Sequence, residues 1–330
     1  MKTYFTLIFF FIFCIYQSQK ITFDLASDPT YKVEYFGAVK NGKANGTGTA
    51  TLYKNERVIT NYVGNWKDND IEGKGKMTYI ESGDNYEGEF SKGLRNGKGI
   101  YTWADGKKYD GEWIKNFRIG KGKLIYPSGD YIEGTFENDK LTSGTSMFVA
   151  ANEKYVGTYH NWYRNGKGTY YFSSGNVYTG DWILNKRTGK GSMIYANGDT
   201  YEGDYVDDQI QGKGTYIFKS GAKYIGSFSN GKRNGFGSYY YASGDIYEGN
   251  FTNSKLEGKG KMIYNTGSTY TGDFQNNEAT GKGIINYKDG SKYEGDVLNS
   301  KPNGFGKLFY ADGRVSEGFF ENGKFKSSTK

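Results

Sequence analysis

A tyrosine followed two residues later by glycine recurs at a fixed spacing, and this period constrains the fold more than any other feature of the sequence. The motif begins at Tyr62, Tyr86, Tyr109, Tyr155, Tyr178, Tyr201, Tyr224, Tyr247, Tyr270 and Tyr293. Every step from Tyr155 onward is 23 residues, and Ile132 replaces the tyrosine in a divergent unit before it. Self-similarity at such a period is typical of solenoids. The spacing predicts about twelve repeats and a partial C-terminal one over residues 35–330.

Each repeat contains two predicted strands. The unit at residues 86–108 reads YEGEFSKGLRNGKGIYTWADGKK. Alternation along a strand places Tyr86, Gly88 and Phe90 on one face and glutamates on the other. A second strand is predicted over residues 97–103, and segments rich in turn residues join the two. The sequence therefore predicts an all-β fold, an elongated single-sheet solenoid of consecutive β-hairpins.

The repeated pattern YxGxWxxGxxxGxGxxxxxxG resembles the MORN repeat (membrane occupation and recognition nexus). Residues 86–108, 178–200, 201–223 and 270–292 match it closely. Members of that family include junctophilins, ciliary radial-spoke head components, cytoskeletal scaffolds of protozoan parasites and the regulatory halves of some enzymes. In those enzymes the catalytic domain is separate, and these 330 residues leave no room for one. The resemblance thus implies a non-enzymatic scaffold.

One face of the predicted sheet is rich in glycine and aromatic residues. A flat single layer would expose too much apolar surface. We therefore expect the sheet to curl and the aromatic side chains to pack over glycines, where no side chain blocks close approach. The expected result is an elongated trough lined by tyrosine, phenylalanine and tryptophan, which is either empty, filled by a ligand or closed by its own aromatic residues. Because aromatic residues are common hot spots at interfaces, the leading function is the binding of protein partners in this trough.

The composition excludes several other classes of protein. Glycine makes up 50 of 330 residues with only 3 prolines and no Gly-X-Y run, which excludes collagen. The only cysteine is Cys14 and the only histidine is His160, so a zinc site of several such ligands is excluded. No Gly-Lys step is followed by serine or threonine, as a phosphate-binding loop would need. We expect no catalytic residues, no metal and no cofactor, and a net charge of +7 predicts no nucleic-acid binding.

The N-terminal residues predict entry into the secretory pathway. Residues 1–19 contain an apolar stretch at residues 4–16, which is too short for a confident bilayer-spanning helix. The segment is typical of a signal peptide, followed by a lead-in at residues 20–34. In a secreted or lumenal chain the sequons at Asn45 and Asn250 are candidate glycosylation sites. The alternatives are a membrane anchor formed by residues 4–16, or a cytosolic, ciliary or cytoskeletal scaffold.

Eight lysines in Gly-Lys-Gly steps form a predicted column on the charged face. They are Lys74, Lys98, Lys121, Lys167, Lys190, Lys213, Lys259 and Lys282. A basic stripe of this kind is suited to anionic phospholipid headgroups, so a membrane-surface tether is an alternative function. Acidic residues on the neighbouring strands of the same face support a second interpretation, a solvated face with ordinary cross-strand pairs.

One irregular stretch is a candidate partner patch. The unit at residues 132–154 departs from the pattern, and the next loop carries His160, Trp162 and Tyr163 where other units have polar turn residues. The irregularity indicates either drift of the repeat or a patch specific to one partner. The partial repeat after Ser316 leaves a free strand edge, which predicts pairing with a second copy as a homodimer.

Overall fold

The computed structural model describes residues 18–328, which fall into two compact units divided after Ala150. Unit 1 contains β1 (Ser18–Leu25), β2 (Asp28–Lys40), β3 (Lys43–Lys54), β4 (Arg57–Lys67), β5 (Asp70–Tyr79), β6 (Asn85–Ser91), β7 (Leu94–Thr102), β8 (Lys108–Ile114), β9 (Phe117–Ile125), β10 (Tyr131–Glu137) and β11 (Lys140–Phe148). Each strand of unit 1 pairs antiparallel with the next one along the chain.

Unit 2 repeats the same arrangement. It contains β12 (Glu153–His160), β13 (Tyr163–Tyr171), β14 (Val177–Ile183), β15 (Lys186–Ile194), β16 (Thr200–Val206), β17 (Gln209–Ile217), β18 (Lys223–Ser229), β19 (Lys232–Tyr240), β20 (Ile246–Thr252), β21 (Lys255–Ile263), β22 (Thr269–Gln275), β23 (Glu278–Asn286), β24 (Lys292–Leu298), β25 (Lys301–Phe309), β26 (Val315–Glu321) and β27 (Lys324–Ser327). The described residues form no helix. The predicted fold class, all-β and built of consecutive hairpins, is confirmed.

The predicted strand boundaries need one correction. The segment after Phe90 was expected to be a turn as far as residue 96, but β7 already begins at Leu94. The turn itself is only Lys92 and Gly93, both with positive φ (50° and 73°). A β-bulge in the β6–β7 pair takes up the extra residue, and Gly97 has a φ of 105° that only glycine adopts readily. The strand therefore starts before the glycines that mark it in the sequence.

A stripe of glycines crosses the sheet of each unit, with a glycine on every strand from β2 to β26. Register places these glycines directly opposite each other, for example Gly180 with Gly191 and Gly203 with Gly214. In the regular repeats a tyrosine ring covers the pair on the aromatic face, which is the face that carries the repeated tyrosines. A Cβ atom on Gly203 would collide with the hydroxyl of Tyr201 and would lie 2.6 Å from the Cα of Gly214. Only glycine permits this close approach of ring and backbone.

The repeated tyrosines are fully buried and their hydroxyl groups are satisfied locally. Tyr178, Tyr201 and Tyr247 are at most 1% exposed. The Tyr201 hydroxyl donates to the carbonyl of Asp204 at 3.1 Å, and the Tyr247 hydroxyl donates to the carbonyl of Asn250 at 2.9 Å. Each ring thus brings its polar atom to a backbone carbonyl of its own strand, which removes the cost of burying it.

A second aromatic column packs edge-on against the first. The Trp182 ring lies 5.2 Å from the ring of Tyr178 in its own repeat and 5.4 Å from that of Tyr155 in the preceding one. Tyr205 likewise contacts both Tyr201 and Tyr178. Edge-to-face pairs are worth about 0.5–1.5 kcal/mol each beyond their buried area. The two columns form a continuous core that joins successive repeats.

Aromatic side chains pack over glycines as predicted, and of the three alternatives for the trough the structure shows closure by its own aromatic residues. The two aromatic columns fill the space that would have been the trough. Half-buried aromatics remain at its rim, including Trp103, Tyr126, Phe172, Tyr195 and Phe218. Burial of the tyrosines removes them as direct contacts for a partner.

Alanine at Gly203 is expected to lower the free energy of unfolding by about 3 kcal/mol, because its Cβ would displace Tyr201 and the facing backbone. The matched control is Gly221→Ala. Gly221 has a φ of 88°, but no atom lies within 4 Å of the place where a Cβ would be added, so the cost there is about 1 kcal/mol of backbone strain. Urea unfolding followed by tryptophan fluorescence measures both. Equal losses would contradict the role assigned to the stripe.

Alkaline pH is expected to unfold the sheet. Burial raises the pKa of Tyr109, Tyr224 and Tyr270 to about 12, above the ordinary value of 10. Because the folded state holds these protons more tightly, stability is unchanged below pH 10 and falls as the pH rises from 10 to 12. Phenolate absorbance and circular dichroism, recorded together, should change in the same pH range. Ionisation of the buried tyrosines near pH 10 with the sheet intact would contradict this.

Candidate binding surfaces

The charged face of unit 2 carries an open groove of about 1090 Å³. Its floor is the backbone of the glycine stripe, and polar side chains from neighbouring strands line it on either side. The polar lining residues are Lys167, Thr169, Thr179, Lys190, Ser192, Glu202, Lys213, Thr215 and Ser238. The groove thus offers hydroxyl groups and charges of both signs.

All eight predicted lysines are exposed, each on the charged face of its own unit, but they do not form an uninterrupted basic stripe. Four of them are ion-paired to an aspartate on the next strand: Lys167–Asp181 at 2.6 Å, Lys190–Asp204 at 2.5 Å, Lys259–Asp273 at 2.7 Å and Lys282–Asp296 at 2.6 Å. In unit 1, register places Lys74 opposite Glu89 and Lys98 opposite Glu112. The positive charges of these lysines are cancelled by the acidic residues that face them. This arrangement does not support lipid binding by the lysine column.

The alternation of charges is interrupted in the middle of unit 2. Ser227 stands in an aspartate position and accepts a hydrogen bond from Lys213 Nζ at 2.7 Å. Phe236 stands in the next lysine position and is 61% exposed. Phe236 lies opposite Asn250, so this cross-strand pair carries no charge. An exposed phenylalanine at this point gives the groove one apolar contact.

The candidate patch predicted from the sequence lies at the β12–β13 hairpin. Asn161 and Trp162 form a two-residue turn with φ of 47° and 71°, and His160 and Tyr163 are the flanking pair. The side chains of Trp162 and Tyr163 are 37% and 48% exposed. His160 is also exposed, and its Nε2 lies 3.2 Å from Nδ2 of Asn161. The structure therefore brings the three predicted residues together at one edge of unit 2.

The next hairpin extends this apolar surface with residues that the sequence reasoning missed. Its turn begins at Leu184, with a φ of 47°, and Ile183 precedes it. Ile183 and Leu184 are 57% and 61% exposed. The signal was present in the sequence, because the corresponding turns of the later units begin with asparagine or aspartate.

Backbone hydrogen bonds hold the two turns side by side. The Asn185 amide donates to the carbonyl of Arg164 at 3.1 Å, and the Arg164 amide donates to Oδ1 of Asn185 at 2.8 Å. The following turn is joined in the same way by the Asp208 amide and the Arg187 carbonyl. We call the resulting surface the edge patch; it comprises Trp162, Tyr163, Ile183, Leu184 and Val206.

The two candidate glycosylation sites differ in accessibility. Asn250 is exposed on β20, and its side-chain amide donates to the carbonyl of Lys259 at 3.3 Å. Asn45 is half-buried on β3, and its amide donates to Oδ1 of Asp68 at 3.1 Å. The geometry favours Asn250 as the acceptor.

The remaining predictions concern the N-terminal segment, metal and membrane sites, and the terminal strand. Residues 1–17 of the predicted signal peptide lie outside the described residues, and the predicted lead-in belongs to β1 and β2. Within residues 18–328, no group of three or more His, Cys, Asp or Glu residues is placed to hold a metal, and no helix is suited to crossing a membrane. The terminal strand β27 pairs with β26, and its association with a second copy stays a prediction.

A sequence model of the MORN repeat matches eleven segments of the chain: 35–56, 62–81, 86–108, 109–131, 155–177, 178–200, 201–223, 224–246, 247–269, 270–292 and 293–313. The chain belongs to the MORN-repeat family. The resemblance found in the sequence is thus confirmed, and MORN repeats form a scaffold of a non-enzymatic kind. The matched segments leave out residues 132–154, the unit whose tyrosine is replaced.

Other comparisons add little to the MORN assignment. No curated protein sequence matches the chain. The TCP domain of Drosophila melanogaster SAS-4 (dCPAP), solved with a proline-rich motif of Ana2 (dSTIL), is similar to 46% of this chain and 82% of its own, at 16% identity and a TM-score of 0.32. The TCP10 domain of Danio rerio CPAP, solved with a STIL peptide, is similar to 68% and 94%, at 12% identity and a TM-score of 0.32. Likeness at this level carries no argument about function.

Proposed function

We propose that this protein is a non-enzymatic scaffold that binds a protein partner through the edge patch of unit 2. The observation that carries the proposal is that two large apolar residues, Trp162 and Leu184, occupy exposed turn positions with left-handed backbone. That conformation costs an ordinary L-residue about 1–2 kcal/mol relative to glycine, whereas asparagine tolerates it better. Strain that the fold does not need indicates a function for the side chains that bear it.

The rest of unit 2 supports this for Leu184. Asn230, Asn253, Asn276 and Asn299 occupy the same first turn position in later repeats, with φ between 48° and 51°. Asparagine at Leu184 would therefore keep the hairpin and remove an exposed apolar side chain. The retention of leucine at this turn position favours a contact with another molecule over a structural role of its side chain.

The composition of the patch favours a protein surface with apolar side chains as its partner. The patch has an apolar centre with two aromatic rings, formed by the exposed residues Trp162, Tyr163, Ile183 and Leu184. A charged pair, Lys186 Nζ and Asp207 Oδ1 at 3.2 Å, lies beside it. An apolar centre with a polar rim is the usual anatomy of a protein–protein interface, and aromatic residues dominate its hot spots.

The test is a double substitution, Trp162→Asn with Leu184→Asn, in the tagged full-length chain. Proteins captured by the wild type are identified, and the strongest one is purified and titrated against each variant. Loss of two hot-spot residues should weaken that complex by about 30-fold or more, while relief of backbone strain should leave the sheet at least as stable.

The matched control is Leu298→Asn. Leu298 is 49% exposed and directly precedes its turn, as Ile183 does, but it lies five repeats further along unit 2. The control removes one exposed leucine, as the single variant Leu184→Asn does, and should leave the complex unchanged. A partner that binds the double variant as tightly as the wild type would remove the edge patch from the function.

We further propose that the protein acts in the secretory pathway or outside the cell. The apolar residues 4–16 and the two sequons support this, together with the exposure of Asn250. Expression of the full chain in its own cells should give a mature N-terminus near residue 19 and a mass shift that an endoglycosidase removes. Asn250→Gln should abolish most of the shift and Asn45→Gln little of it. An intact Met1 with unmodified asparagines would instead favour a membrane anchor or a cytosolic scaffold.

A further inference from the structure

The N-terminal hairpin of unit 1 folds back over the aromatic face. The turn between β1 and β2 is bonded to the β4–β5 turn, since the Ala26 amide donates to the Asn69 carbonyl at 3.2 Å and the Ser27 amide donates to Oδ1 of Asp70 at 3.1 Å. Further along β1, the Phe23 ring packs edge-on against Trp66 with centroids 5.8 Å apart. The hairpin therefore arches over strands that are distant from it in the sheet order.

A cavity of about 930 Å³ lies between this hairpin and the sheet. Its apolar wall includes Leu25, Leu52, Ile71 and Met77, which are each at most 6% exposed, together with half-buried Ile59. The volume is at the upper end of the range of about 300–1,000 Å³ that ligand pockets occupy. Methionine and unbranched apolar ligands adapt to each other's shape easily. The wall is suited to an aliphatic chain.

The polar groups of the cavity carry an excess of positive charge. Its cations are Lys54, Lys92 and Arg95, against the acids Asp28 and Glu81. The carboxylate of Asp28 already accepts hydrogen bonds from the amide and hydroxyl of Thr30, at 3.1 and 2.7 Å.

Two of these cations are held in place by aromatic rings. Lys54 Nζ lies 4.7 Å from the centroid of the Tyr31 ring, another residue of the lining. The Arg95 guanidinium lies 4.8 Å from the ring of Tyr101, and its Nη2 donates to the carbonyl of Asn116 at 3.2 Å. Contact with aromatic faces orients a cation without neutralising it. After the hydrogen bonds from Thr30, the charge of Lys54 is the smallest of the causes that lower the pKa of the Asp28 carboxyl. Both cations remain suited to an anionic group.

We propose that this cavity binds a small aliphatic carboxylic acid. The chain lies against Leu52, Ile71 and Met77, and the carboxylate pairs with Lys54 at the edge of the cavity. This inference is independent of the edge patch, which belongs to unit 2.

The probe is dodecanoate, titrated by calorimetry into the full-length protein below its micelle concentration. Dodecanol and dodecylammonium have the same number of carbon atoms and carry a neutral hydroxyl and a cationic ammonium head in place of the anionic carboxylate. We expect saturable binding of one dodecanoate, with dodecanol weaker by about threefold, as for one partly exposed ion pair, and dodecylammonium weaker still. Equal affinity for all three heads, or absence of saturable binding, would overturn the proposal.

Three variants separate the cavity from non-specific binding elsewhere on the chain. Lys54→Gln should weaken dodecanoate about threefold and leave dodecanol unchanged. Lys223→Gln is the matched control, because Lys223 Nζ lies 4.6 Å over Tyr240 in unit 2, outside the cavity, and it should change neither affinity. Ile59→Trp, which fills the cavity, should abolish both. If Ile59→Trp keeps the wild-type circular dichroism spectrum and still binds dodecanoate fully, the cavity is not the site.

Discussion

The packing of each tyrosine ring onto a pair of glycines is the contact on which the rest of the structure depends. A single-layer sheet has no second layer to bury its apolar face, so the core must be built from side chains that lie flat on their own sheet. The Tyr201 ring achieves this over Gly203 and Gly214, and its hydroxyl group is satisfied by the Asp204 carbonyl. A second column of aromatic residues packs edge-on against these rings. Tyr205, for example, contacts Tyr201 in its own repeat and Tyr178 in the preceding one. Stability is accordingly a sum over repeats and their nearest-neighbour contacts.

The sequence was sufficient to predict this architecture because nearly every repeat carries the same pattern of tyrosine and glycine positions. Alternation assigned Tyr86, Gly88 and Phe90 to one face, and the 23-residue period joined the hairpins into one series. The complete burial of the tyrosine rings was not predictable from this pattern. Alternation specifies which residues share a face, but the hydrogen bond from a ring to its own backbone is a property of rotamer and strand curvature. The sequence therefore left the state of the trough open, and the structure shows that its own aromatic residues close it.

The candidate binding residues were harder to predict than the fold. Trp162 and Tyr163 stood out because aromatic residues replaced polar ones, whereas Ile183 and Leu184 follow Trp182 as part of one apolar run, and only comparison with the later turns reveals the missing asparagine. Their significance depends on a left-handed φ at Leu184, which places a large side chain where asparagine serves elsewhere. The lysine column shows the opposite case. A basic stripe is visible in the sequence, but register pairs lysines with aspartates and cancels most of its charge.

Both candidate sites lie where the regularity of the repeat is broken, and the buried columns explain why. Hairpin turns contribute little to the tyrosine–glycine core, so they can change without loss of the sheet. The first repeats keep that core, with Tyr35 and Tyr62 fully buried over glycines, and differ in the length of their strands. The spacing from Tyr35 to Tyr62 is 27 residues, and the additional residues lengthen β3 and β4 into the wall of the N-terminal cavity. The divergent unit at residues 132–154 directly precedes the edge patch. In a chain of near-identical repeats, recognition of one ligand requires such departures, because a surface repeated every 23 residues offers the same contact many times and selects no single place.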